Sequence, residues 1–83
     1  MQVIAVKIGE QQFKVIMGSD VQRDGMYLEL SLEGGSDLAE VFYSDTTHTF
    51  SLTLFEPAVP LEAVEWLISE ARRRLPQIPG ATL

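Results

Sequence analysis

The segment 59–75, VPLEAVEWLISEARRRL, is the one stretch of this chain that strongly predicts a helix, and it constrains the rest of the fold. At the helical angle per residue, its apolar side chains fall within an arc of about 120°. This stripe is wide enough to cover one side of a sheet, and it consists of Leu61, Val64, Leu67, Ile68, Ala71 and Leu75. Pro60 suits the first helical position, and Pro76 ends the helix.

Trp66 lies outside this stripe, about 140° from Leu61, on a side of the helix that it shares with Glu62 and Glu70. Two interpretations are open. Either a neighbouring segment or the stem of Arg73 covers the ring, or the ring is an exposed anchor for a partner, because Trp is enriched in interface hot spots. The second interpretation makes Glu62, Trp66 and Glu70 one candidate partner-binding group.

The length of 83 residues predicts a single domain, which we place at residues 1–76, followed by a tail at residues 77–83. The tail contains Pro79-Gly80 and no charge, so we expect it to be extended or disordered. The chain has no cysteine, which excludes a disulfide framework and a thiolate metal site. The N-terminal apolar run is too short for a signal peptide or a membrane span. We therefore expect a cytoplasmic protein that does not insert into a membrane.

The net charge of −6 is distributed unevenly along the chain. Residues 20–65 contain ten carboxylates and one base, Arg23, whereas residues 1–19 and 66–83 are both net positive. A segment this acidic repels nucleic acid and anionic membranes and attracts basic proteins. The alternative is that the charge serves only solubility, as in many small domains.

Five runs before the helix predict strands separated by short turns. Residues 26–33 and 49–55 alternate apolar and polar side chains, as expected of strands with one buried face. The runs 3–8, 13–17 and 38–44 are rich in β-branched and aromatic residues, although the inward set of 38–44 is ambiguous between odd and even positions. Gly9-Glu10, Asp24-Gly25 and Gly34-Gly35 mark turns between them.

Short turns between successive strands favour an antiparallel meander over parallel units. We therefore predict an α+β fold, in which an antiparallel meander sheet of about five strands packs one C-terminal amphipathic helix on one face. The predicted core is Ile4, Val6, Phe13, Val15, Leu28, Leu30, Phe50, Leu52, Leu54, Val64, Leu67, Ile68 and Ala71.

No constellation of residues predicts catalysis, a cofactor or a metal. His48 is the only histidine, and Ser44, Asp45 and Ser51 are near it in sequence, but proximity within a hairpin turn does not by itself predict a catalytic arrangement. Asp20 and Asp24 lack the ligand spacing of a calcium loop. The glycines at 34–35 join two strands rather than leading into a helix, so they do not predict a phosphate site. The triplet at 72–74 is basic, but it lacks the aromatic platform of a nucleic-acid interface.

The outer face of the sheet is the second candidate partner-binding group. If Leu28 and Leu30 point inward, then the polar side chains of the same strand point outward. A face that combines an aromatic ring with carboxylates resembles an interface core with a polar rim, although an ordinary solvated face gives the same pattern. The candidate residues here are Tyr27, Glu29, Glu33, Asp37 and Glu40.

These features favour a small acidic module that binds another protein stoichiometrically and covers a basic site on it. In size, charge and element order the chain resembles bacterial immunity proteins, antitoxins and phage-encoded inhibitors, but no motif lets a residue role be carried over. The alternative is a homodimer formed through the outer sheet face or an edge strand. An enzyme or a small-ligand domain is the weakest interpretation.

Overall fold

The computed structural model describes residues 1–75 and confirms the predicted α+β architecture. The strands are β1 (Gln2–Ile8), β2 (Gln11–Asp20), β3 (Gly25–Leu32), β4 (Asp37–Ser44) and β5 (Phe50–Leu54), and the helix is α1 (Leu61–Arg74). The predicted tail at 77–83, and with it the domain boundary at residue 76, lies outside the described residues.

The five strands form one antiparallel meander sheet in the order β1-β2-β3-β4-β5. Each connection is a short turn, and several turns need a left-handed backbone. Gly9 and Gly34 supply it at φ 63° and 70°, where glycine has no steric penalty. Asp24 and His48 also adopt positive φ, which Asp tolerates more readily than most residues. The turn residues therefore set the hairpin register that aligns the faces of the sheet.

The register places the apolar positions of neighbouring strands side by side on the face that α1 covers. Val15 lies opposite both Ile4 and Leu30, and Val41 lies opposite both Leu28 and Leu52. In β4, Ala39, Val41 and Tyr43 occupy this register, which resolves the ambiguity left by the sequence. The buried core is Phe13, Val15, Leu28, Leu30, Leu38, Ala39, Val41, Tyr43, Ala63, Leu67, Ala71 and Leu75.

The helix is rotated toward Trp66 relative to the orientation that the apolar stripe predicts. Ala63, Leu67 and Ala71 are fully buried against the sheet. Trp66 is half-buried and packs against the core. On the opposite side of α1, Ile68 is 36% exposed, so the prediction that it belongs to the core is wrong. Leu61, which the predicted stripe also contains, is 68% exposed.

The same rotation leaves the inner face of β5 uncovered. Leu52 and Leu54 face the helix side of the sheet, but they are 42% and 51% exposed, so their placement in the core is also wrong. Phe50, at the other end of the strand, is half-buried against the core. The physical reason is that a single helix does not span a five-stranded sheet, and α1 covers the β1 side at the expense of β5.

Candidate protein-binding surfaces

The outer face of the sheet brings together most of the residues of the candidate outer-face group. Tyr27 lies opposite Phe42, Glu29 opposite Glu40, and Ser31 opposite Asp37, on the paired strands β3 and β4. Aromatic rings thus occupy one end of this strand pair, and carboxylates occupy the middle and the other end. Glu33 is exposed in the β3–β4 turn, so it continues the row of carboxylates at the edge of the face.

Two buried glycines allow the aromatic rings to lie flat against the sheet. The Tyr27 ring lies across Gly18, where a Cβ atom would come within 2.7 Å of the Tyr27 hydroxyl. The Phe42 ring lies across Gly25, where a Cβ atom would come within 2.5 Å of the ring. The local sequence therefore uses glycine on the neighbouring strand to accommodate each ring.

Arg23, in the β2–β3 turn, reaches across the outer face to Glu40. Its guanidinium donates two hydrogen bonds to the Glu40 carboxylate, at 3.1 Å and 2.9 Å, and lies 4.1 Å from the centre of the Phe42 ring. A third bond, from Nε to Asp20, holds the turn in place. These bonds raise the pKa of the Arg23 guanidinium and lower the pKa of Asp20. Glu40 is therefore neutralised by a bidentate partner.

Glu29 has no such cation in direct contact. Burial is the main cause that raises the pKa of Glu29, and the nearby charges of Asp37 and Glu40 raise it further. Lys14 and Arg23 oppose this shift through longer-range attraction. A half-buried carboxylate beside two other acids is costly to the isolated fold, because its charge is only partly compensated. Glu29 is thus the centre of the negative potential on this face.

The outer face is divided by charge along the strand order. Lys7 and Lys14 lie on β1 and β2, whereas Glu29, Glu40 and Asp37 lie on β3 and β4. Asp37 accepts a hydrogen bond of 2.9 Å from the buried Ser31 hydroxyl, which fixes the position of its carboxylate. We call the row formed by Tyr27, Glu29, Glu33, Asp37 and Glu40 the acidic face.

The helix group is arranged differently from the acidic face. The indole of Trp66 lies over the β1–β2 side of the sheet, where it lines a small pocket with Ile4 and Met17. Glu70 accepts hydrogen bonds of 2.7 Å from both Arg73 and Arg74, which lower its pKa. Glu62 is exposed in the first helical turn. Two members of this group thus have structural partners within the chain.

A third surface was not predicted, because Leu52, Leu54 and Ile68 were assigned to the core and Leu61 to the helix stripe that faces the sheet. We call it the β5 surface, and it consists of Leu52, Leu54, Leu61 and Ile68, all of them exposed. A groove between α1 and β5 is lined by Val41, Phe50, Ile68 and Arg72, among others. The Arg72 guanidinium lies 5.1 Å from the centre of the Phe50 ring at one end of this groove. Leu52 and Ile68 line this groove from its two sides, and neighbouring exposed apolar residues mark an interaction site more often than a scattered one does.

Among residues 1–75, the structure contains no group of three or more His, Asp or Glu side chains arranged to hold a metal ion. His48 is exposed, and its ring lies parallel to that of Tyr43 at 6.5 Å. In the same described part of the chain, no helix is long and apolar enough to cross a bilayer.

Sequence reasoning did not find the roles of Arg23 and Phe42. Arg23 is the only Lys or Arg in the acidic segment, and it follows Asp20 by three residues. The ion pair between Arg23 and Asp20 could therefore have been predicted from the sequence. Its contact with Glu40 depends on which side chains of β4 point outward, and the sequence left that open. Phe42 lay in the strand whose inward set was ambiguous.

No family model, curated protein or solved structure matches this chain. The fold and the contacts described above therefore carry the functional argument.

Proposed function

We propose that this chain is a protein-binding module that associates stoichiometrically with a basic partner through the acidic face. The observation that carries the proposal is the state of Glu29. Its carboxylate is half-buried, it lies beside Asp37 and Glu40, and burial and both acids raise its pKa. A cationic side chain from a partner would relieve this repulsion, so association would stabilise a group that is costly in the free protein.

The aromatic end of the acidic face supplies the apolar part of such an interface. Tyr27 is half-buried against Gly18 and presents one side of its ring to solvent. Tyr and Arg are enriched at the centres of protein interfaces, where a ring gives contact area at a low entropic cost. Arg23 holds Glu40 and lies against Phe42, so this part of the face is organised before a partner arrives.

A partner of this kind presents Lys or Arg side chains around an apolar patch. Long-range attraction to the acidic face would accelerate the encounter, and the fixed rings would set the orientation. Occlusion of a basic functional site, as in an inhibitor, an immunity protein or an antitoxin, is the finer form of the proposal. Self-association is the second candidate function, and the uncovered β5 surface favours it.

The experiment captures a partner from an extract of the native host on the immobilised chain and then measures the association rate between about 50 mM and about 300 mM salt. Charge reversal of Glu29→Lys with Glu33→Lys should slow association by at least about tenfold at low salt and flatten its salt dependence.

The matched control is Glu10→Lys with Glu65→Lys, which makes the same change in net charge at exposed positions outside the acidic face and the β5 surface. This control should keep most of the wild-type rate. A captured partner that binds both double variants at the wild-type rate would show that the acidic face is not the interface.

A further inference from the structure

We propose that the β5 surface is the interface of a homodimer, in which β5 pairs with β5 of a second copy in an antiparallel arrangement. This inference supplies the interface for self-association, and it does not depend on binding to a basic partner, because the apolar residues of the β5 surface lie on the side of the sheet opposite to the acidic face. β5 is the last strand of the sheet, so among residues 1–75 nothing pairs with its outer edge.

The hydrogen bonds to β4 show which backbone groups of β5 point outward. Ser44 N–H donates to the carbonyl of Thr49 at 3.0 Å, and Phe55 N–H donates to the carbonyl of Leu38 at 2.8 Å. Residues 49 and 55 therefore point toward β4. Because the direction alternates along an antiparallel strand, the N–H and C=O groups of Phe50, Leu52 and Leu54 point outward. These are the same three residues whose side chains lie on the helix side of the sheet.

A twofold axis perpendicular to the sheet at Leu52 satisfies all of these groups together. It places Leu52 opposite Leu52 of the second copy, and Phe50 opposite Leu54. Each of these positions is then a hydrogen-bonded pair, in which the two residues exchange both N–H···O bonds. Leu52 and Leu54 gain apolar cross-strand neighbours on the inner face, which reduces their exposure. No other centre pairs as many outward-pointing residues.

The charges favour a second copy at this edge over other edges and faces. Residues 49–55 contain no acidic or basic side chain, although the chain as a whole carries −6. Under the twofold axis, the Phe50 end of one strand lies beside the Leu54 end of the other. Arg72 covers the Phe50 end, and Glu56 follows Leu54, so opposite charges meet at both ends of the interface. Two acidic faces brought together would instead repel.

The other edge strand is protected in a way that β5 is not. β1 carries Lys7 on its outer face, and a lysine on an edge strand opposes pairing with another chain. The inner side chains of β1, Ile4, Val6 and Ile8, are half-buried against the core that Trp66 completes. Pairing at β5 therefore covers apolar surface that pairing at β1 does not.

The test is sedimentation of the full chain from about 1 μM to about 1 mM. The wild type should approach twice the chain mass of 9.2 kDa as the concentration rises. Leu52→Lys should remain monomeric, because it places a charge at the centre of the pairing. Val3→Lys is the matched control, since Val3 is a 50% exposed apolar residue on β1, and it should dimerise like the wild type.

Backbone amide exchange gives the second readout. The amides of Phe50, Leu52 and Leu54 should become protected only at concentrations where the dimer forms, whereas those of Ser51 and Thr53 should be protected at all concentrations. A strictly monomeric wild type overturns the proposal, as does a Leu52→Lys variant that still dimerises. Protection of the three outward amides in a monomer also overturns it, because another segment of the same chain would then cover the edge.

Discussion

The two edges of the sheet differ in how they meet the helix. At the β1 edge, Trp66 extends from α1 over the inner side chains, and Ile4, Val6 and Ile8 are half-buried. At the β5 edge, α1 presents Ile68 and Arg72, and Leu52 and Leu54 stay exposed. Both edges have apolar inner residues, so the difference lies in the orientation of the helix rather than in the pattern of the strands.

Simple dimensions explain why one edge must remain uncovered. Five strands spaced about 4.8 Å apart make a sheet roughly 20 Å wide, whereas a helix with its side chains is about 10–12 Å across. One helix covers about half of such a sheet. A Trp side chain buries about 150–250 Å², more than an aliphatic side chain, so the helix gains most by turning that residue toward the sheet.

Leu67→Ala should have the largest effect, because Leu67 is fully buried between the two edges. We expect a loss of about 3–5 kcal/mol in the free energy of unfolding. Leu61→Ala, on the exposed side of the same helix, should change it by less than about 0.5 kcal/mol. Urea denaturation followed by circular dichroism measures both. Similar losses in the two variants would mean that the helix lies as its apolar stripe predicts.

Trp66→Ala and Ile68→Ala compare the two edges directly. Trp66 packs against the core, so its truncation should cost about 2–4 kcal/mol in the free energy of unfolding. Ile68 is 36% exposed and covers little, so its truncation should cost less than about 1.5 kcal/mol. Urea denaturation of the monomer at low concentration gives both values. A larger loss of stability in Ile68→Ala than in Trp66→Ala would contradict the orientation of α1.

The strand pattern was predictable because it is local, and the helix orientation was not. Alternation and turn residues indicated all five strands and the meander, since each hairpin is determined by neighbouring residues. The stripe of α1 contains Leu61 and Ile68, and nothing within the helix says that Trp66 displaces them. That choice depends on the sheet width and on the space above β1 and β2, which are tertiary properties.

The candidate residues show the same division. Tyr27 and Glu29 were correctly expected to point outward, because that follows from alternation within β3. The orientation of Glu40 was left open by the ambiguous pattern of 38–44, and only the pairing of Glu29 with Glu40 places it on the same face. Arg23 forms an ion pair with Glu40, and Arg73 and Arg74 form ion pairs with Glu70. Glu29 differs from both, because none of these arginines contacts it directly. The sequence alone does not distinguish these acids from one another, whereas their contacts in the structure do.

Tyr43→Phe tests the packing next to β5. The Tyr43 ring lies opposite Phe50, with the ring centres 5.0 Å apart, and its hydroxyl is buried without a hydrogen-bond partner among the described residues. Removing an unsatisfied hydroxyl while keeping the ring should raise the free energy of unfolding by about 1 kcal/mol. Thermal unfolding of the two proteins measures the change. A loss of stability would show that the hydroxyl has a partner, and this side of the core would then be better satisfied than the described contacts indicate.

Glu29→Gln addresses the charge difference between the two halves of the outer face, and its effect should be the smallest. The pKa of Glu29 is raised by burial and by two neighbouring acids, so the folded protein holds this proton more tightly than the unfolded chain does. The protonated form therefore stabilises the fold at low pH, and that contribution is lost as the pH rises through the raised pKa. At pH 7 the glutamine variant should unfold at a higher temperature than the wild type.

Because the pKa of Glu29 is raised, the pH dependence of the stability difference between the two proteins gives a second measurement. The advantage of Glu29→Gln should shrink as the pH falls toward about 4, because the wild-type carboxyl then also becomes neutral. Acid-sensitive pairs such as Glu70 with its arginines are present in both proteins, so their effect cancels in the difference. Glu33→Gln, in the exposed β3–β4 turn, is the matched control, and it should raise the unfolding temperature at pH 7 by less than Glu29→Gln does. If the stability advantage of Glu29→Gln stays constant from pH 7 to pH 4, the charge of Glu29 is not what destabilises the wild-type fold. The two halves of the outer face would then differ in composition but not in their electrostatic contribution to stability.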